Sequence, residues 1–167
     1  VLRPIRSLWL VCVVGCASAL AGACVKIDGG AVEVSWVIRS TTGSAITDCG
    51  CAFPPIDTVR LVLKGVGGAI AGTTPCAGKA QCDFPCQRQT GSTAFDIAET
   101  SGGEKYEISV VAVGADGQEI PQSQVMTPAP ILRDVVRGQP TEVEAFQLVA
   151  PCAAACAMSG SGVCARP

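Results

Sequence analysis

Apolar and polar side chains alternate along this chain in short runs, and no stretch holds a helical period with caps. From Ala31, the run AVEVSWVIR places Val32, Val34, Trp36 and Ile38 on one face and Glu33, Ser35 and Arg39 on the other, the pattern of a half-buried strand. IDTVRLVLK, from Ile56 to Lys64, alternates again, with Val59, Leu61 and Leu63 facing one way. Cys82, Phe84 and Cys86 share a face of a short extended segment, and Phe95 with Ile97 predicts another brief strand. Between Glu104 and Gln124 a Tyr/Ile/Val-rich run precedes Asp116-Gly117, a hairpin signal whose second arm is weakened by Pro121. TEVEAFQLV, from Thr141 to Val149, predicts a last strand, whereas Ile131 to Arg137 allows at most a short helical turn.

The loops between these runs are rich in Gly, Pro, Ser and Thr. About six or seven short strands with no helix between them predict an all-β fold, an antiparallel β-sandwich. Of the 167 residues, 49% are hydrophobic and 16% charged, which suits one globular domain with its own core.

The N-terminus has a different character. Arg3 and Arg6 precede an uncharged run, Ser7 to Leu20, and then the small residues Ala21, Gly22 and Ala23. This is the layout of an export signal, expected to include a helix. Fourteen residues of helix reach only ~21 Å, short of a ~30 Å hydrocarbon core. Leu20-Ala21-Gly22-Ala23-Cys24 resembles the lipobox of bacterial lipoproteins, as does Val13-Val14-Gly15-Cys16. The resemblance implies lipidation of the cysteine and attachment to a membrane through that lipid. Cysteine parity favours Cys24 over Cys16: beyond Cys24 there remain Cys49, Cys51, Cys76, Cys82, Cys86, Cys152, Cys156 and Cys164, an even set that can pair completely. Processing at Cys16, or ordinary secretory cleavage after Ala23 to give a soluble secreted protein, strands one thiol. Val25 follows Cys24 where an inner-membrane lipoprotein would carry aspartate, which implies the outer membrane of the cell envelope. The expected organisation is a signal peptide over 1–23, a lipid-anchored spacer over 24–30 ending in Gly29-Gly30, a sandwich domain over 31–149 and a Cys-rich tail over 150–167.

An exported address favours disulfides over free thiols, and spacing alone selects no connectivity. A bridge from the 49/51 loop to the 76/82/86 loop, with stapling of the tail, is the natural expectation. Two alternatives use the same residues: redox chemistry at Cys49-Gly50-Cys51, or a zinc-thiolate site from Cys82/Cys86 with Cys152/Cys156. In coarse layout, the Trp-bearing first strand and the hairpin ending in Asp116-Gly117 resemble immunoglobulin-like or transthyretin-like envelope modules over 31–149. That resemblance implies a fold class and no activity, and the chain departs from an immunoglobulin framework because Trp36 precedes every domain cysteine.

The absence of histidine removes His-based triads and the usual proton shuttle, and neither Ser-x-x-Lys nor Gly-x-Ser-x-Gly occurs. The glycine clusters lack phosphate-loop spacing, and Asp83, Asp96, Glu99 and Glu104 lack the rhythm of a calcium loop. A net charge of −2 argues against nucleic acid. The expectation is therefore a non-enzymatic structural or binding module without cofactor, which displays stapled loops to a protein or glycan partner. Phe53, beside Pro54 and Pro55, is the one aromatic placed like an exposed anchor, with packing under the loop as the alternative.

Overall fold

The computed structural model describes residues 27–158 and 163–166; the expected signal over 1–23 and both lipidation candidates, Cys16 and Cys24, lie outside the described residues. The fold is mostly β, in two sheets. The first is built on β1 (Ala31–Ser40), the strand expected from the alternation of AVEVSWVIR. Its N-terminal half pairs with β5 (Thr90–Ser92) and β8 (Pro140–Glu142), and its C-terminal half with β2 (Ala45–Ile46) and β9 (Phe146–Ala150). β10 (Ala157–Met158) and β11 (Val163–Ala165) form a hairpin that extends this sheet beyond β2, so the Cys-rich tail is part of the sheet. The second sheet has the order β4 (Asp83–Pro85), β3 (Thr58–Val66), β6 (Lys105–Val113), β7 (Ile131–Arg133). Its backbone is an unbroken ladder from Thr58↔Val113 to Val66↔Lys105.

The faces predicted to be apolar are the faces that are buried. Val32, Val34, Trp36 and Ile38 of β1 meet Val59, Leu61 and Leu63 of β3 and Ile108, Val110 and Ala112 of β6 in one hydrophobic core. Trp36 ties the sheets together: its ring stacks on Phe84 of β4 at 6.3 Å between centroids, and its indole N–H donates to the Cys86 carbonyl at 3.0 Å.

The structure corrects four expectations about the strands. The second sheet is antiparallel throughout, but β8 and β9 run parallel to β1, and β11 parallel to β2, so the first sheet is mixed. The run Thr141 to Val149 is two strands: Val143 faces the core, but so do Phe146 and Leu148, and a spacing of three between inward residues breaks a period of two. Ile131–Arg133 is a strand and not a helical turn, since it has the open edge of β6 at Tyr106–Ile108 to pair with. Phe95 and Ile97 form no strand; Ile97 makes an isolated bridge to Gly30 and Phe95 stays 39% exposed. The turn at Asp116-Gly117 does form, with Gly117 at φ 76°, and its return arm ends after the Glu119 and Ile120 contacts, as a proline at 121 requires.

Gly29 and Gly30 are docked where a free spacer was expected. Gly29 donates to the Phe95 carbonyl at 3.0 Å and Gly30 to that of Ile97 at 2.8 Å, while Gly138 donates to Gly29 at 2.9 Å. A Cβ on Gly29 would strike the Ile97 backbone, so this glycine is needed for close approach. Among the described residues no helix is long and apolar enough to cross a membrane.

Candidate functional site

β1 and β9 end side by side, at Ser40↔Ala150, and the chain features that follow these two strands meet at that pole. Ser40 Oγ accepts from the Ser44 backbone N–H at 3.0 Å, and Gly43, at φ 88°, lets the chain reverse into β2. One 3₁₀ turn follows, Cys49–Cys51, capped by Asp48, whose Oδ1 accepts from the Gly50 N–H at 2.8 Å. Asp48 also accepts from Gln87 Nε2 at 3.0 Å and pairs with Arg166 at 3.1 Å, so one carboxylate joins the turn to β4's far side and to the tail.

The disulfides do the same covalently. Cys49 bonds Cys86, Cys51 bonds Cys156, Cys76 bonds Cys82 and Cys152 bonds Cys164, so all eight expected cysteines are paired. Three of these bridges converge at this pole. Cys49 and Cys51 point to different partners, and Cys82, Cys86, Cys152 and Cys156 each belong to a different bridge. The two alternatives built on these thiols thus have all their sulfurs engaged. Among the described residues no three His, Cys, Asp or Glu side chains are placed to hold a metal ion.

Phe53 emerges from this framework. Its N–H donates to the Pro151 carbonyl at 2.9 Å, Ala52 bridges Cys152, and Ala153 donates to the Cys51 carbonyl at 2.8 Å. The peptide bond to Pro54 is cis, and Asp57 N–H reaches the Val113 carbonyl at 3.0 Å. With its backbone fixed on both sides, the Phe53 ring is 63% exposed, more than any other large hydrophobic side chain among the described residues. Of the two positions open to it in the sequence, the exposed one is adopted. Beside it runs a groove of about 460 Å³ floored by Gly50, Pro54, Pro55 and Asp57 and closed by Asp116 and Arg166.

A second groove, about 520 Å³, lies between β3 and the small loop closed by Cys76–Cys82. Its two carboxylates are spent on Arg60, which forks onto Asp83 at 2.7 and 3.0 Å and reaches Glu119 at 3.3 Å. Those carboxylates hold the Arg60 guanidinium even more firmly protonated than usual. The scattered acids of the sequence are likewise structural. Asp96 takes Lys79 and Gln81, and Glu99 takes Arg137.

Glu104 was legible in the sequence only as a loop acid. It is 8% exposed, accepts backbone N–H groups from Ser101 at 3.0 Å and Ala69 at 2.6 Å, and pins the 67–70 turn to the start of β6. The Ser101 amide, then the Ala69 amide, lower its pKa below the ordinary value of 4.5, against the opposing effect of burial. A carboxyl depressed on folding contributes stability that is full above the ordinary value and is lost as pH falls through the folded one. We expect Glu104→Gln to be less stable than the parent at neutral pH and the gap to close below pH 4.5. Urea midpoints of both proteins across that range read it; a gap independent of pH would contradict the assignment.

Compared with known proteins, the chain matches no family model, no curated protein and no solved structure significantly.

Proposed function

We propose that this chain is a lipid-tethered module of the cell envelope, an immunoglobulin-like β-sandwich without catalytic activity, which presents the Phe53-Pro54-Pro55 loop to a protein partner. Four disulfides fit an extracellular or envelope protein. Lipidation at Cys24 and residence at the outer membrane extend that statement from the lipobox-like sequence and from Val25. The observation that carries the binding role is the exposure of Phe53 directly after a turn that two disulfides cross-link to β4's end and to the tail. A loop ordered before binding loses less entropy on association, and an exposed aromatic beside a groove is the usual form of an interface anchor. A single aromatic with two prolines favours a protein over a stacked sugar as partner.

Polarity within the fold supports the same reading. Residues 27–30 dock at the Ala31 end of β1, whereas the 48–57 loop sits at its Ser40 end, about 30 Å away for a ten-residue strand. A tether at Cys24 therefore leaves Phe53 facing away from the membrane.

Phe53→Ala is expected to leave the urea midpoint unchanged and to weaken partner binding roughly thirtyfold, the ~2 kcal/mol of an interface anchor. Recovery of the partner on immobilised parent and variant protein reads the second effect. Equal recovery would refute the proposed surface. Denatured but unreduced protein should show no reactive thiol; two or more would return weight to thiol or zinc chemistry.

A further inference from the structure

We infer that the pole opposite Phe53 is a membrane-contact surface, in which Ile27, Phe95 and Val136 rest on the lipid interface; this rests on the lipid tether proposed at Cys24. The three side chains are 48%, 39% and 50% exposed. They come from three separate segments that the backbone brings together. Gly29 donates to the Phe95 carbonyl on one side, and Gly138 donates to Gly29 on the other, so residues 27–30 run between the segments that carry Phe95 and Val136. Gly30 packs against the Val136 carbonyl, and the Ile27 methyl lies 4.0 Å from where a Cβ on Gly138 would stand. Three segments that carry exposed apolar side chains thus meet at residues 27–30.

Where the preceding chain attaches decides what covers them. From Cys24 to Ile27 is three residues, at most ~10 Å of extended backbone, so acyl chains on Cys24 would begin within that distance of the patch. A lipid surface so close is the one apolar partner that the tether itself supplies. Ion pairs border the patch, Arg137 with Glu99 at 3.4 Å and Lys105 with Asp134 at 3.0 Å, groups suited to headgroup depth. The lipid would hold the protein at the membrane, and the patch would set its orientation, with the Phe53 loop outward.

The test uses the full lipidated protein in phosphatidylcholine vesicles whose acyl chains carry bromine, a short-range quencher of tryptophan. Phe95→Trp and Val136→Trp each place a reporter in the patch, at exposed positions that tolerate the larger ring, and Phe53→Trp places one at the opposite pole; buried Trp36 is a common background. Insertion to the depth of interfacial side chains is expected to remove roughly half of the added emission at 95 and at 136, and none at 53. Protein that floats with the vesicles while both patch reporters stay bright would overturn the contact surface and leave the tether standing. Protein that does not float would overturn the tether and the surface with it. Bright patch reporters in a protein that sediments as a dimer would give the patch to a second copy instead.

Discussion

Removal of the Cys51–Cys156 bridge by a paired substitution to alanine is expected to cost about 4–5 kcal/mol, the largest loss of the four bridges. The bridge closes 105 residues of chain, against 37 for Cys49–Cys86, 12 for Cys152–Cys164 and 6 for Cys76–Cys82. Stabilisation through the unfolded chain grows with the logarithm of the closed loop, which puts the smallest at about 2 kcal/mol. Cys49–Cys86 shortens the effective loop that Cys51–Cys156 closes, but the logarithm makes that correction small. Against a domain stability of about 5–15 kcal/mol, loss of the long bridge removes about a quarter or more. Urea unfolding of the four paired alanine variants should rank their costs in the order of the spans. A cost for Cys76–Cys82 equal to or above that for Cys51–Cys156 would mean that native packing, and not chain entropy, dominates.

Trp36→Ala is the second large effect, at about 3–5 kcal/mol. The side chain is fully buried at the centre of the core, and its removal opens a cavity between the sheets at Phe84. It also takes the 3.0 Å donor from the Cys86 carbonyl, which keeps only the Gln89 N–H at 3.2 Å. Trp36→Phe separates the two contributions: it keeps most of the ring and loses the N–H, for an expected ~1–2 kcal/mol. Both are read from the denaturant midpoint at unchanged slope. A cost below about 1 kcal/mol for Trp36→Ala would show that the two sheets do not depend on this contact.

The alternation of AVEVSWVIR and IDTVRLVLK made β1, β3 and their buried faces legible, because a strand with one face in the core carries its own period. Strand direction was not legible. β8 and β9 run parallel to β1 because of where the 134–139 segment delivers the chain, and that route leaves no local mark on residues 140–150. Gly29-Gly30 was misleading for a related reason. A glycine needed for close approach to Ile97 reads in sequence like a glycine in a spacer.

The candidate site was legible in its parts. Eight cysteines beyond an export-like leader foretold disulfides, and Phe53 between Cys51 and two prolines was readable either as an exposed anchor or as packed under the loop. That Cys49 and Cys51 would bind Cys86 and Cys156, and so fix the turn that leads into Phe53, depends on a tertiary arrangement that spacing does not encode. Glu104 was missed because its ligands are backbone amides of Ala69 and Ser101, which are invisible in side-chain chemistry.

The most direct test of the binding role is photo-crosslinking in intact cells from a reactive residue placed at position 53, with the same residue at position 37 on the outer face of β1 as control. Both positions are exposed, 63% and 39%, and they differ in being on or off the stapled loop. One discrete crosslinked species is expected from position 53 and none from position 37. The same products from both positions, or none from either, would contradict the binding role.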